Sequence, residues 1–233
     1  KIPLPEKIYG HGWILSGEEK MSKSKGNILD PIDIINTYGL DPLRYYLIKE
    51  VSFGNDGNIS QDKLEDCINS DLANNYGNLC QRVTAFAEKN CFSKVPKIKN
   101  FNNEDLVMLN KFKENLETIR QEIDKQNINF YISFIVSALF EANKYFNDQE
   151  PWKKKDDKDR LNTIVYTSLE MIRKISFMLY PIIPDSVDRA LKIFNLNSKD
   201  INFESIASHD YLKAGSDINK IDILFKKIEK KND

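Results

Sequence analysis

The stretch INFYISFIVSALFEANKYF, residues 128–146, decides the fold. Its apolar side chains fall on nearly every side of a 3.6-residue period, with no Gly or Pro between them, so it reads as a helix at the centre of a bundle. Other stripes surround it. Leu64, Cys67, Ile68, Leu72, Leu79, Val83 and Phe86 recur at helical spacing, which predicts one long amphipathic helix of about thirty residues beginning near 61. Leu106, Leu109, Phe112, Leu116, Ile119 and Ile123 draw another. Leu161, Ile164, Val165, Leu169, Ile172, Ile175 and Met178 draw a further one that ends before Pro181, and Pro184 with Asp185 opens a last helix running to Phe194. Amphipathic stripes joined by short polar loops predict an α-helical bundle. The segment after Phe194 is polar with scattered apolar positions, as expected of a strap lying back over the folded chain.

The first sixty residues are of a different kind. Ile8–Tyr9 and Trp13–Leu15 are short apolar runs separated by Gly10, Gly12 and Gly17, the pattern of strands and tight turns. Asp30 followed by Pro31 predicts a helix start and Gly39 its stop. Asp41 and Pro42 repeat the device for a second helix. VSFGNDGNIS, residues 51–60, is dense in turn formers and reads as a connector whose last residue, Ser60, caps the long helix. The expected fold class is therefore mainly α: a small α/β domain over residues 1–60, then a helical bundle with its C-terminal strap over 61–233. No internal repeat is visible.

Composition bounds the function. The 34 basic and 35 acidic residues leave a formal charge of −1, so no whole-chain cationic field announces nucleic acid, and any such partner must be gripped locally. Cys67, Cys80 and Cys91 form no CxxC pair and there are only two histidines, which fits neither a disulfide framework nor a zinc site. The thiols are expected to be reduced, in a cytoplasmic setting. No apolar run approaches the roughly 20 residues of a membrane span. The chain opens on KIPLPEKIYGHGW without an initiator methionine, as a piece of a longer protein would.

One loop carries chemistry of its own. EEKMSKSKGN, residues 18–27, lies between the strand near His11–Leu15 and the helix beginning at Pro31. On a surface it could be merely solvated. Tethered in this way, it can also bring the ammonium groups of Lys20 and Lys23 to a polyphosphate, with the Ser22 and Ser24 hydroxyls and backbone N–H groups completing a cradle. Such a cradle suits displacement at phosphorus, where one preorganised donor aimed at developing charge contributes about 3–4 kcal/mol.

Lys20-Met21-Ser22-Lys23-Ser24 resembles the KMSKS signature of class I aminoacyl-tRNA synthetases, and KGNILDPIDIINTYGLDPLRYYLIKE resembles the block that follows it. The leucine, isoleucine, valine and cysteine enzymes share much of that block. GHGWIL before it and LRYYLIKEVSFGNDGNISQDKLEDCINSDLANNYGNLCQRV after it are similar to the bacterial methionyl-tRNA synthetase family, and the likeness continues through EPWKKK to ILFKKIE. The resemblance implies an ATP- and Mg2+-dependent ligase that makes methionyl-adenylate and passes methionine to its tRNA. Lys23 would stabilise the triphosphate as pyrophosphate leaves, Lys20 would support the loop, and Met21, Ser22 and Ser24 would complete the ATP contact. The chain carries no HxGH sequence and no Cys-rich zinc knob; in the family both precede the signature, in a Rossmann domain, so zinc is expected only there and the fragment by itself is expected to be inactive. The alternatives are a Leu- or Cys-type fragment, or a non-catalytic tRNA-binding module.

The same resemblance assigns anticodon reading to the bundle. Asn78 and Arg82, in GNLCQR, are four residues apart on one helix face, where an amide and a guanidinium can meet the edges of unpaired bases. Without the resemblance, Arg82 reads as a partner in an intrahelical salt bridge. Trp152 stands in DQEPWKKKDDKDR, where no apolar period demands an indole. It is either a stacking platform for a base or a small satellite core at the bundle end. Lys153, Lys154 and Lys155 would serve phosphates or form a solvated turn. Arg44, Tyr45 and Tyr46 are expected to pack the first domain against its neighbours, and the three cysteines to be buried.

Overall fold

The computed structural model describes residues 3–16, 19–20 and 29–229. Three short strands form its sheet in the order β2-β1-β3: β1 (Ile14–Ser16) pairs antiparallel with β2 (Glu19–Lys20) and parallel with β3 (Gly57–Ile59). The 51–60 stretch is thus not only a connector. Its Gly57 N–H donates to the Trp13 carbonyl at 2.8 Å, and the Trp13 N–H donates to Asp56 Oδ1 at 2.6 Å. The approach is so close that a Cβ on Gly12 would stand 2.2 Å from the Asn55 carbonyl carbon, which explains a glycine there. Ile8 and Tyr9 form no strand and are exposed.

Helix α1 (Pro31–Tyr38) starts as its sequence predicts, with the Asp30 carboxylate accepting from the Ile32 N–H at 2.8 Å, and stops at Gly39, whose φ of 96° suits glycine. Helix α2 (Leu40–Glu50) begins earlier than Asp41–Pro42 suggests. Asp41 lies inside its first turn, buried, and caps a different helix: its Oδ2 accepts from the Ser186 N–H at 2.6 Å, at the start of α8 (Pro184–Leu191). Arg44 donates to the carbonyls of Ile182 at 2.6 Å and Pro181 at 2.8 Å. Tyr45 donates to Asp71 Oδ2 at 2.9 Å, and Lys49 pairs with the same carboxylate at 2.7 Å. Arg44 and Tyr45 thus lock α2 onto the bundle as expected, joined by Lys49, whereas the Tyr46 hydroxyl bonds the backbone of Ser60.

The long helix is continuous but not uniform. It runs as α3 (Gln61–Cys67), capped by Ser60, then as a π-helical stretch over Ile68–Gly77, then as α4 (Asn78–Cys91). Helices α5 (Asn103–Asp124), α6 (Ile128–Asp148) and α7 (Lys158–Leu179) complete the bundle, with a short α9 (Phe203–Ala207) beyond α8. The segment after α9 is a strap, as expected. Val95 donates to the Ser216 carbonyl and Ile218 to that of Ser93, both at 2.8 Å; Arg189 donates to Leu224 at 2.6 Å, and Ile228 to Asn69 Oδ1 at 2.8 Å.

The centre of the bundle is α7, not the 128–146 helix. Every residue from Thr163 to Leu179 is buried, whereas α6 exposes Ser133, Ser137, Phe140, Lys144 and Asn147 along one side. The periodicity of α7 misleads because Glu170, Arg173 and Lys174 read as a solvent face, yet all three are fully buried. Glu170 Oε2 accepts from Arg173 Nε at 2.8 Å and lies 2.6 Å from its Nη2, while Glu170 Oε1 accepts from the Leu212 N–H of the strap at 2.8 Å. The Arg173 guanidinium stands 4.5 Å from the Tyr211 ring centroid and 5.1 Å from that of Phe177. Lys174 donates to the Ile206 carbonyl at 2.7 Å, and desolvation, with the Arg173 charge beside it, lowers its pKa to about 8.

All three cysteines are buried, as expected, and burial pushes the Cys67 thiol up to about 12. No helix among the described residues is long and apolar enough to cross a membrane. The Glu170–Arg173 pair makes a test of the fold. Glu170→Ala leaves a buried guanidinium uncompensated and is expected to cost about 3–5 kcal/mol in urea unfolding; Glu170→Met with Arg173→Met is expected to recover most of that loss.

Candidate nucleic-acid interface

Of the residues expected to hold ATP, Met21, Ser22, Lys23 and Ser24 lie outside the described residues. Lys20 is a backbone position in β2, opposite Leu15. The residues expected to meet RNA are all described, and two of them converge.

The point of convergence is Phe146, a buried ring in the last turns of α6. The Arg82 guanidinium, reaching across from α4, stands 5.6 Å from its centroid; Trp152 packs edge-to-face on it with centroids 6.2 Å apart, and Phe86 does the same from another side at 5.8 Å. Arg82 is not held within its own helix. Its Nη2 donates to Asn147 Oδ1 at 2.6 Å, so the cation is oriented by the residue next to Phe146. One turn earlier on α4, Asn78 is half-buried, and its side-chain amide has no hydrogen-bond partner among the described residues. Asn143, one turn before Asn147 on α6, donates to Asn75 Oδ1 at 2.6 Å. The seam between α4 and α6 is therefore lined by amides with one guanidinium among them.

Trp152 is delivered by a turn. Glu150 adopts left-handed dihedrals (φ 45°, ψ 57°), uncommon for a side-chain-bearing residue, and sends the chain back through a single 3₁₀ turn over Pro151–Lys153. The indole keeps 41% of its surface in solvent while one edge rests on Phe146. It is thus neither enclosed as a satellite core nor free of the bundle. Of the neighbouring lysines, Lys153 pairs with Glu150 at 2.7 Å, and Lys154 and Lys155 are exposed.

A buried network steadies this end of α6. Asp105 is fully buried and closes the capping box of α5 with Asn102. Its carboxylate also accepts from the Tyr145 hydroxyl and, at 2.6 Å, from Arg160 Nη1, while Arg160 Nη2 donates to Gln149 at 2.5 Å. Burial and the adjacent Asp105 charge raise the pKa of Tyr145 far above the ordinary phenol range. Asn147 and Phe146 thus sit beside a fixed frame. Sequence reading named Asn78, Arg82 and Trp152 but missed Phe146, Asn147 and Asn143. Within YFNDQEPW a Phe on the apolar stripe looks like ordinary core, and an exposed Asn has no periodicity to betray it.

The surface also has known relatives. Residues 1–84 match the family model for class I tRNA synthetases (M), and residues 95–233 match that for the anticodon binding domain of methionyl tRNA ligase. A methionine–tRNA ligase of Brucella suis is 38% identical over 219 residues, covering 94% of this chain and 42% of the relative. That of Thermotoga maritima is 35% identical over 233 residues, covering 99% and 37%. The Mycobacterium tuberculosis methionyl-tRNA synthetase solved with methionyl-adenylate superposes with a TM-score of 0.90 at 33% identity, over 96% of this chain and 45% of that one. The chain spans less than half the length of these proteins.

Phe146 is the ring on which the rest of this surface is arranged. Phe146→Ala is expected to cost roughly 3–5 kcal/mol of stability, and, in a Trp13→Phe background, to red-shift Trp152 emission as the indole loses its packed edge.

Proposed function

The chain belongs to the methionyl-tRNA synthetase family of class I aminoacyl-tRNA synthetases, and on that premise we propose that its bundle reads the anticodon of methionine tRNA for a ligase of which it forms the C-terminal part. The reaction has two steps: attack of the methionine carboxylate on the α-phosphorus of ATP with departure of pyrophosphate, then transfer of the methionyl group to the 3′ end of the tRNA with release of AMP. In this reading Lys23, assisted by Lys20, Met21, Ser22 and Ser24, holds the triphosphate and, with Mg2+, offsets the charge that builds on the leaving pyrophosphate. A Rossmann domain with an HxGH motif would supply the other half of the ATP site. Both family models and the relatives above are of the methionine type, which leaves the Leu- or Cys-type alternative and the non-catalytic module without support.

One observation carries the anticodon reading: Arg82 and Trp152, far apart in sequence, meet on the Phe146 ring at 5.6 and 6.2 Å, with Trp152 exposed and Arg82 half-buried. The pairing suits single-stranded RNA. The indole offers a face on which a base can stack, the guanidinium offers a planar fork of donors to base edges, and Asn78 adds an amide one turn away. Asn147 acts as a positioning residue by fixing the fork. In a chain of net charge −1, recognition rests on these contacts rather than on a general positive field. Residues 1–60 are assigned to the stem-contact region and 61–233 to the anticodon-binding domain.

Two measurements test this. In filter binding to methionine tRNA, Trp152→Ala is expected to weaken affinity roughly 5- to 150-fold, the range for loss of one base–aromatic stack, while Lys154→Ala changes it only slightly. Equal losses, or none for Trp152, would remove the stacking role. The chain, lacking an HxGH sequence, is expected to give no methionine-dependent ATP–pyrophosphate exchange; measurable exchange refutes the division of labour between loop and absent motif.

A further inference from the structure

Phe140 is the exposed aromatic that the reading above leaves without a task. It keeps 64% of its surface in solvent and stands among exposed Ser133, Ser137 and Lys144 on α6, with the half-buried Val136 one turn before it. A single exposed apolar side chain is ordinary on a protein surface. What sets this one apart is its register. Asn143 and Asn147 follow at three and seven residues, so all three share one stripe of α6. That stripe borders the seam with the π-helical stretch and α4, because Asn143 is bonded to Asn75 and Asn147 to Arg82, each at 2.6 Å. Seven residues of α-helix carry Phe140 about 10 Å along the axis from Asn147.

We propose that Phe140 is a second stacking platform, which takes the base of an unpaired nucleotide at the far end of the amide-lined seam from Trp152. The proposal rests on the anticodon reading and extends it: the loop is gripped between two aromatic faces, Trp152 at one end and Phe140 at the other. Asn75, Asn78, Asn143, Asn147 and Arg82 lie along the base edges between them. The alternation of π-faces with amide and guanidinium groups is the chemistry that single-stranded RNA requires. The other exposed rings do not compete for this task. Phe203 lies on α9 beneath the Arg120 guanidinium, 5.6 Å from its centroid; Phe92 occupies the left-handed turn that ends α4; and Trp13 and Phe53 flank the sheet. On the same side as Phe140, Lys144 is paired with Asp148, so the contact at this end is carried by the ring and not by charge.

The test uses the whole chain and the anticodon stem-loop of methionine tRNA carrying a terminal fluorophore, read by anisotropy over a series of salt concentrations. Phe140→Ala and Phe140→Leu are expected to weaken binding roughly 5- to 150-fold, Phe140→Tyr to restore it, and the salt slope to stay unchanged because no phosphate contact is lost. Single 2-aminopurine substitutions in the loop should identify one position whose quenching is lost in Phe140→Ala and kept in Trp152→Ala. If Phe140→Ala binds as the wild type does while Trp152→Ala is weakened, the second platform is refuted and the anticodon reading survives. If leucine substitutes fully for phenylalanine, stacking is likewise refuted. If neither alanine variant changes affinity, both readings fall together.

Discussion

A helix buried around its whole circumference holds its polar groups away from water, and the buried run of α7 carries three formal charges there, while Thr167 Oγ1 and Arg173 Nη1 have no hydrogen-bond partner among the described residues. The solution is to bond the charges to the segments that cover the helix. Glu170 neutralises Arg173 and accepts from the backbone at Leu212, Arg173 lies between the Phe177 and Tyr211 rings, and Lys174 donates to the Ile206 carbonyl. Besides partners on α7 itself, Leu212, Tyr211 and Ile206 belong to α9 and the strap, so the course of the C-terminal segment is tied to the needs of α7. The ions make the covering specific: an apolar helix could be overlaid in several registers, whereas Glu170 accepts only where the Leu212 N–H is presented.

The same helix reaches the Phe146 end of α6 through its first turn. Arg160 joins Asp105 of α5 to Gln149 just past α6, and Tyr145 adds a further donor to the same carboxylate. Asn147 and Phe146 are thereby placed on a frame drawn from α5, α6 and α7, and Arg82 reaches that frame from α4. The surface is preorganised, because little side-chain freedom remains to be lost there on binding.

Much of this was legible in the sequence, for local reasons. Caps at Asp30 and Ser60, the helix stop at Gly39 and the apolar stripes of the long helices depend on neighbours within a few residues, and they hold. Where reading by period failed, the deciding contact was remote. Asp41 resembles a cap for its own helix but serves Ser186, and Gly57–Ile59 resembles a turn but pairs in parallel with a strand some forty residues earlier. Ranking the 128–146 helix above α7 as the central one assumed that charge means solvent, and Glu170 and Arg173 satisfy one another instead. Of the candidate site, Asn78, Arg82 and Trp152 were named from a family pattern, while Asn147 and Phe146 come into it only because the fold brings α4 and α6 together. For the lysine–serine loop, sequence and resemblance remain the grounds of the assignment.

The π-helical stretch from Ile68 to Gly77 bears on how this protein can vary. Its i→i+5 bonds hold surplus residue within a helix that is otherwise unbroken from Gln61 to Cys91, and Asn78 is the first α-helical residue after it. Were the same residues wound as plain α-helix, at about 100° each, the surplus residue would turn everything downstream, swinging Arg82 off the seam while α3 stayed seated. The segment sets the phase between two contacts: Asp71 within it bonds Tyr45 of α2, and Arg82 of α4 beyond it bonds Asn147 of α6. The number of residues in this stretch and its wide winding therefore set together which face of α4 meets α6.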